Sequence, residues 1–195
     1  IPLFKGAKER RRELIPSQKP KTLRDYRIFQ RRSRMTQSVI LGSEIHILEA
    51  TVELKSSAES FFDMLVGRPH HVTNATPSKI HGAELHEGEL GQVGSVVGWK
   101  YFHDGEVKAL KQATESIDPE NNRVTYNVLE GDLLKEYKSF KIIFQVTPKE
   151  GETGSVAYWK FEYEKISEEV GHPETLLQFK VEMSKEIDEH LQLGE

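Results

Sequence analysis

Lys180 is the residue whose position could give it unusual chemistry. Apolar residues recur at helical spacing near the end of the chain, and at 100° per residue Lys180 falls between Leu176 and Ile187, within the apolar stripe. A lysine in apolar surroundings has a lowered pKa and can act as a nucleophilic amine or as a base. It can instead keep its ammonium at the mouth of an apolar site, or pair with an anionic ligand group such as a carboxylate. We favour the ammonium at the mouth, because buried unpaired lysines are rare.

A glycine-rich segment, GELGQVG, contains Gly88, Gly91 and Gly94. A dinucleotide-binding fingerprint needs a strand, this kind of loop and then a helix, whose N-terminus holds the pyrophosphate. Here the loop leads into the strand-like segment VVGWKYF, and no Lys-Ser or Lys-Thr pair follows it. The pattern therefore predicts a tight, mobile loop between strands and no nucleotide cofactor.

Metal-binding and catalytic patterns are weak. The eight histidines form no HExxH motif and no i,i+4 pair on a helix, the adjacent His70 and His71 would diverge on one, and cysteine is absent. Glu130, Asp132 and Glu136 are acid–base candidates, but nothing in their spacing places two of them across a cleft. We therefore assign no metal, no cofactor and no catalytic residue.

Residues 173–191 are the only long segment with a helical period, and the helix that they form must position Lys180. Residues 44–164 read mostly with period two, which is typical of strands. One helix with a broad apolar face needs one large apolar partner, and a curved antiparallel sheet can supply it.

The predicted order is one strand, two short helices, six strands and the long helix. Ser56 or Ser57 would cap the first short helix. The predicted strands cover residues 44–54, 79–88, 95–105, 106–117, 123–129, 133–146 and 156–164, and the short helices cover 57–66 and 70–75.

Many inward-facing strand positions are aromatic. A strongly curved sheet over one helix can enclose more space than its side chains fill, which would leave an apolar ligand cavity with a few polar groups. The same aromatic residues could equally form a filled core, and periodicity does not separate the two. For the cavity, the expected lining is Trp99, Tyr101, Tyr126, Phe140, Phe144, Trp159, Phe161, Tyr163, Phe179, Lys180 and Met183.

Charge divides the chain in two. Residues 1–34 hold 12 Lys/Arg and 3 Asp/Glu, a net charge of +9, which leaves −13 for the rest. We predict a disordered basic tail over residues 1–40 and one domain over 41–195. Met35 as the natural start, a transit peptide and a nucleic-acid-binding arm remain open for the tail. The acidic domain argues against nucleic acid as a partner, and no apolar run reaches membrane-spanning length.

Three segments resemble the major latex protein family, the ripening-related branch of the Bet v I type superfamily named for the birch pollen allergen. They are KIHGAELHEGELGQVGSVVGWKYFHDGE, YNVLEGDLLKEYKSF and YEKISEEVGHPETLLQFKVEMSKEIDEHL. The resemblance covers about residues 45–191, and residues 1–34 have no recognised counterpart.

This resemblance implies an α+β helix-grip fold, in which a seven-stranded antiparallel sheet wraps a long C-terminal helix and two short helices follow strand one. It implies a cytoplasmic plant protein, which we expect to be monomeric, that carries fatty acids, sterols or other apolar metabolites in defence or stress responses. GELGQVG lies where the family has its glycine-rich loop. Some relatives are alkaloid-forming enzymes, so a condensing or cyclising pocket enzyme is the alternative. A ribonuclease-like or RNA-binding role is a third hypothesis.

Overall fold

A computed structural model describes residues 44–194, so the tail predicted for residues 1–40 lies outside the described residues. Seven strands, interrupted at three places by short helical segments, precede one long helix. The strands are β1 (His46–Leu54), β2 (Ile80–Glu87), β3 (Val96–His103), β4 (Glu106–Asp118), β5 (Arg123–Gly131), β6 (Tyr137–Pro148) and β7 (Ser155–Lys165). The α-helices are α1 (Ala58–Phe62), α2 (Pro69–Ala75) and α3 (Glu174–Gln192).

All neighbouring strands pair antiparallel in the order β1-β7-β6-β5-β4-β3-β2, so β1 and β2 form the two edges. Side chains alternate strictly along β7, where every second residue from Ser155 to Tyr163 is buried. These inward residues pack with the buried face of α3 in one core. The seven-stranded curved sheet, the long C-terminal helix and the two short helices after strand one confirm the predicted helix-grip fold.

The buried face of α3 is wider than the predicted stripe. Leu176, Phe179, Met183 and Ile187 are buried as expected. A second row, one position further round the helix, is also buried and consists of Leu177, Val181, Ser184 and Asp188. The second row is buried because α3 packs against the short helices α1 and α2 as well as against strands β1 and β7 of the sheet.

Asp188 connects the C-terminal half of α3 to the corner between β1 and α1. Its carboxylate accepts hydrogen bonds from the Ser56 backbone N–H at 2.8 Å, the Ser56 hydroxyl at 2.6 Å and the Lys55 N–H at 3.0 Å. Both the N–H and the hydroxyl of Ser56 are therefore hydrogen-bonded to α3. Ser57 caps α1 by accepting a hydrogen bond from the Ser60 N–H at 3.1 Å. The capping residue, left open between two serines by the sequence, is thus Ser57.

Strand β6 begins later than predicted. Residues Asp132–Lys135 form a 3₁₀ turn, and β6 starts at Tyr137, so the predicted start at residue 133 was wrong. The turn is stabilised by Asp132, which accepts hydrogen bonds from the Ala109 N–H and the Lys135 ammonium, both at 2.7 Å. Apolar residues at 133 and 134 resemble a strand, but side-chain hydrogen bonds select the turn.

The glycine-rich loop lies against the helical segment after β1. α1 continues into a π-helical turn at Asp63–Gly67, and a Cβ on Gly91 would lie 3.5 Å from the Gly67 Cα atom. The three loop glycines Gly88, Gly91 and Gly94 all have positive φ. The loop therefore joins two strands as predicted, and the positive φ of 73° favours a glycine at position 91.

Candidate ligand-binding cavity

An internal cavity of about 30 Å³ lies between the sheet and α3. Strands β2 to β7 supply one wall, and α3 supplies the opposite wall. Seven of the eleven residues expected from the sequence line it: Trp99, Tyr101, Tyr126, Trp159, Phe179, Lys180 and Met183.

The other four expected residues lie outside the lining. Phe140, Phe144, Phe161 and Tyr163 are fully buried and pack against neighbouring rings. The Phe140 ring lies 5.1 Å from Phe161 and 5.7 Å from Tyr163, measured between centroids. These four aromatic residues are part of the filled core. The strand periodicity shows that a side chain points toward the core, but it does not show whether that side chain borders the cavity.

Six further residues line the cavity and were not in the expected set. They are Leu65 from the π-helical turn, Ile80, Leu110, Gln112, Ile142 and Leu176. Leu110 and Gln112 share the inward phase of β4, and Leu176 belongs to the predicted apolar stripe. The inward phase of these three residues can be read from the sequence, but phase alone does not show that they border the cavity.

Two polar atoms in the lining have no hydrogen-bond partner among residues 44–194. They are the Trp99 indole Nε1 and the Tyr101 hydroxyl, both buried. Burial, reinforced by the carboxylates of Asp132 and Glu136, raises the pKa of the Tyr101 hydroxyl well above its usual value. Both groups are therefore hydrogen-bond donors at neutral pH, and Trp99 can only donate. Since buried polar groups are normally paired, these two predict an oxygen acceptor from a ligand or water.

Lys180 lies in the cavity wall. Its Nζ atom is 5.2 Å from the centroid of the Trp159 ring and 6.0 Å from that of Phe179. Within the described part of the chain, no carboxylate forms an ion pair with it. Burial lowers the pKa of the Lys180 ammonium to about 8. The aromatic faces stabilise the cation only partly, because they do not replace a counter-ion or a full hydration shell.

A second, open depression of about 320 Å³ lies beside the cavity, at the N-terminal end of α3. Tyr101 and Leu176 line both spaces, so these two side chains form the partition. His103, Asp132 and Glu136 also line the depression, and the His103 Nε2 atom is buried without a partner among the described residues.

The three acid–base candidates are not brought together. Glu130 lies outside both spaces and pairs with Lys111 at 3.2 Å. Asp132 and Glu136 share the outer depression, but hydrogen bonds from Lys135 and the Ala109 N–H lower the pKa of Asp132. An ionised Asp132 that already accepts two hydrogen bonds is poorly suited to proton transfer.

Neither a metal cluster nor a spanning helix appears in residues 44–194. No three His, Cys, Asp or Glu side chains there are grouped to hold a metal ion. None of the helices in that range is long and apolar enough to cross a membrane.

A curved sheet closed over one helix, with an apolar cavity between them, defines a helix-grip ligand-binding protein. Residues 44–193 match the model of the Pathogenesis-related protein Bet v 1 family. MLP-like protein 43 from Arabidopsis thaliana is 65% identical over 144 residues, which cover 74% of this chain and 91% of that protein. The chain belongs to the Bet v 1 family and, within it, to the major latex protein branch.

Solved structures agree with this assignment. Ginseng major latex-like protein 151 from Panax ginseng has a TM-score of 0.71 and 38% identity, covering 75% of this chain and 97% of that chain. Norcoclaurine synthase from Thalictrum flavum, solved with dopamine and hydroxybenzaldehyde, has a TM-score of 0.58 and 19% identity, covering 76% and 89%. The second likeness shows the shared fold alone. Family membership supports a ligand-binding carrier.

Proposed function

We propose that this protein is a non-catalytic carrier of hydrophobic small molecules that bear an oxygen acceptor at one end. The observation that carries the proposal is the pair of unpartnered donors, Trp99 Nε1 and Tyr101 OH, in a wall that is otherwise mostly apolar. An apolar ligand body would gain about 25 cal/mol for each Å² buried, before ordering costs. An acceptor at its end would supply a partner for these donors, in the same lining that contains Lys180.

The cavity must enlarge for such a ligand to enter. A space of about 30 Å³ holds a water molecule or two, whereas sites for small ligands are typically about 300–1,000 Å³. Rotation of Tyr101 and Leu176 would join the cavity to the outer depression of about 320 Å³. We place the access route there, because it needs movement of two side chains and no break in the sheet.

The two tryptophans of the chain give a direct assay, since Trp99 and Trp159 both line the cavity. A brominated fatty acid quenches indole fluorescence on contact. Protein stripped of lipid is titrated with 9,10-dibromostearic acid, and separately with stearic acid. We expect saturable quenching by the brominated acid, reversed by an excess of stearic acid.

The control is free N-acetyltryptophanamide in the same titration. Quenching no stronger than in this control, or quenching that stearic acid does not reverse, would refute binding at the cavity. A Lys100→Arg variant, altered at an exposed position of β3, serves as the matched protein control and is expected to behave as the wild type.

Three wider features belong to the same proposal: fatty acids or sterols as ligands, action as a cytoplasmic monomer, and a link to defence or stress responses. Their support is the family assignment. Native mass spectrometry of the protein purified from its own tissue tests the ligand class and the oligomeric state, because it weighs both the ligand and the assembly.

A further inference from the structure

The amine of Lys180 differs in setting from that of Lys79, which forms ion pairs with side chains of α3. Lys79 pairs with Glu186 at 2.6 Å and lies 3.7 Å from Glu182. Lys180 has aromatic rings as neighbours and no ion-pair partner among residues 44–194. Its nitrogen is therefore not committed to another side chain and lies in the wall of the cavity.

The same cavity presents two hydrogen-bond donors without acceptors, Trp99 Nε1 and the Tyr101 hydroxyl, and Tyr101 is only 3% exposed. A carbonyl group offers an oxygen for those donors and an electrophilic carbon for the amine. Hydrogen bonds to that oxygen would increase the electrophilicity of the carbon and stabilise the oxygen of the tetrahedral adduct. A carbonyl group therefore has the right chemistry for each of these three groups of the lining.

We propose that Lys180 captures hydrophobic aldehydes as a reversible imine. The Nζ lone pair attacks the aldehyde carbon, and the carbonyl oxygen takes up a proton to give a carbinolamine. Loss of that hydroxyl as water, together with the remaining N–H proton, forms the C=N bond. Atoms and electrons balance without an oxidant or a reductant, and addition of water reverses the reaction.

The protonation state of Lys180 favours this chemistry. With a pKa of about 8, about a quarter of the amine is neutral at pH 7.5, against about 0.1% for a lysine at its usual value of 10.5. The neutral fraction is therefore larger by about two orders of magnitude than at an exposed lysine. The proposal rests on the cavity's opening to a ligand, as the carrier function requires, and adds covalent capture to it.

The test is reductive trapping with octanal. Folded protein at pH 7.5 is exposed briefly to octanal and sodium cyanoborohydride, which reduces an imine to a stable secondary amine. Intact mass gives the number of octyl groups, and peptide mapping gives their position. We expect one group per chain, on Lys180, at a yield at least ten times that of any other lysine.

Two variants test whether the adduct depends on Lys180. Lys180→Arg should lose the adduct, and Lys100→Arg should keep it. Mapping of the wild type is decisive by itself if the Lys180 variant folds poorly. An unmodified Lys180, an even spread of octyl groups over surface lysines, or an adduct unchanged in Lys180→Arg would each overturn the proposal. Quenching by dibromostearic acid without an adduct would leave the carrier function intact and remove only the imine; absence of both would remove both.

Discussion

The indole of Trp159 donates a hydrogen bond of 2.9 Å to the hydroxyl of Ser184, which joins the middle of β7 to the middle of α3. The Ser184 hydroxyl in turn donates to the backbone carbonyl of Lys180, one helical turn earlier, at 2.8 Å. This relay fixes the Trp159 ring relative to the turn that carries Lys180. The two cavity tryptophans therefore differ: Trp159 has its partner within the protein, whereas Trp99 has none among the described residues.

Replacement of Ser184 by alanine should lower stability. The Trp159 N–H would remain buried without a partner, which typically costs about 1–3 kcal/mol. Urea unfolding followed by circular dichroism would show the loss. Ser139→Ala, at an exposed position of β6, is the matched control and should change stability by less than about 0.5 kcal/mol. Equal effects of the two substitutions would contradict the role of Ser184.

Lys180→Met should stabilise the protein at neutral pH, and the gain should disappear in alkali. The pKa of Lys180 is about 8 in the folded protein against 10.5 unfolded, so the unfolded chain binds more protons between these values. Stability of the wild type relative to the variant therefore rises with pH from 8 to 10.5. These pKa values correspond to about 3 kcal/mol at pH 7, and because Lys180 is partly exposed we expect a smaller advantage for Lys180→Met, of about 1–2 kcal/mol.

Urea midpoints measured at pH 7 and above pH 10 for both proteins test this prediction. Titration of tyrosines affects the two proteins alike and cancels in the difference. A difference in stability that does not change with pH would show that the variant acts through packing rather than through removal of the ammonium.

Tyr101→Phe should make the ligand-free protein more stable and the ligand weaker. The Tyr101 hydroxyl is buried without a partner in the described chain, so its removal relieves a cost of about 1 kcal/mol. Its loss also removes a donor to the ligand's oxygen, so the midpoint of dibromostearic acid quenching should rise several-fold.

Tyr137→Phe provides a comparison of opposite sign. The Tyr137 hydroxyl donates to the Gly171 carbonyl at 3.0 Å, so its removal should destabilise the protein by about 1 kcal/mol. Thermal or urea unfolding of both variants decides the matter. Destabilisation by both would mean that the Tyr101 hydroxyl is satisfied, for example by water, and is not available to a ligand.

Gly131→Ala should be strongly destabilising, whereas Gly94→Ala should not. Gly131, at the end of β5, has φ 117°, and a Cβ there would lie 2.6 Å from the Leu110 Cα atom. Gly94 has φ 86° but nothing within 4 Å of the added carbon. We expect losses of about 3 kcal/mol or more for Gly131→Ala and about 1 kcal/mol for Gly94→Ala in urea unfolding. Similar losses would indicate that backbone conformation alone matters.

Much of the fold could be predicted from local sequence patterns. Alternation along β7 and the helical period of α3 predicted which faces are inward, because each depends only on residues close in sequence. The start of β6 was misplaced for the opposite reason. Asp132 is held by the Ala109 N–H on β4, and that contact between distant residues selects a turn where apolar residues suggested a strand.

The candidate site shows the same division. Tyr101 and Phe140 are both inward aromatic residues on strands, yet Tyr101 lines the cavity and Phe140 is enclosed by Tyr137, Phe161 and Tyr163. Nothing in their local sequence distinguishes them. The outer depression was not predicted at all, because it forms where the β3–β4 hairpin, the turn at Asp132–Lys135 and the start of α3 meet.

The sequence by itself determined the order of elements, the inward phase of several strands, the position of Lys180 within an apolar stripe and the resemblance to the family. Only the tertiary structure decided which inward residues border empty space, how small that space is, and that Trp99 and Tyr101 lack partners while Trp159 has one. The reason is physical. Periodicity records which way a side chain points, whereas a cavity and an unpaired donor depend on how elements distant in sequence pack together.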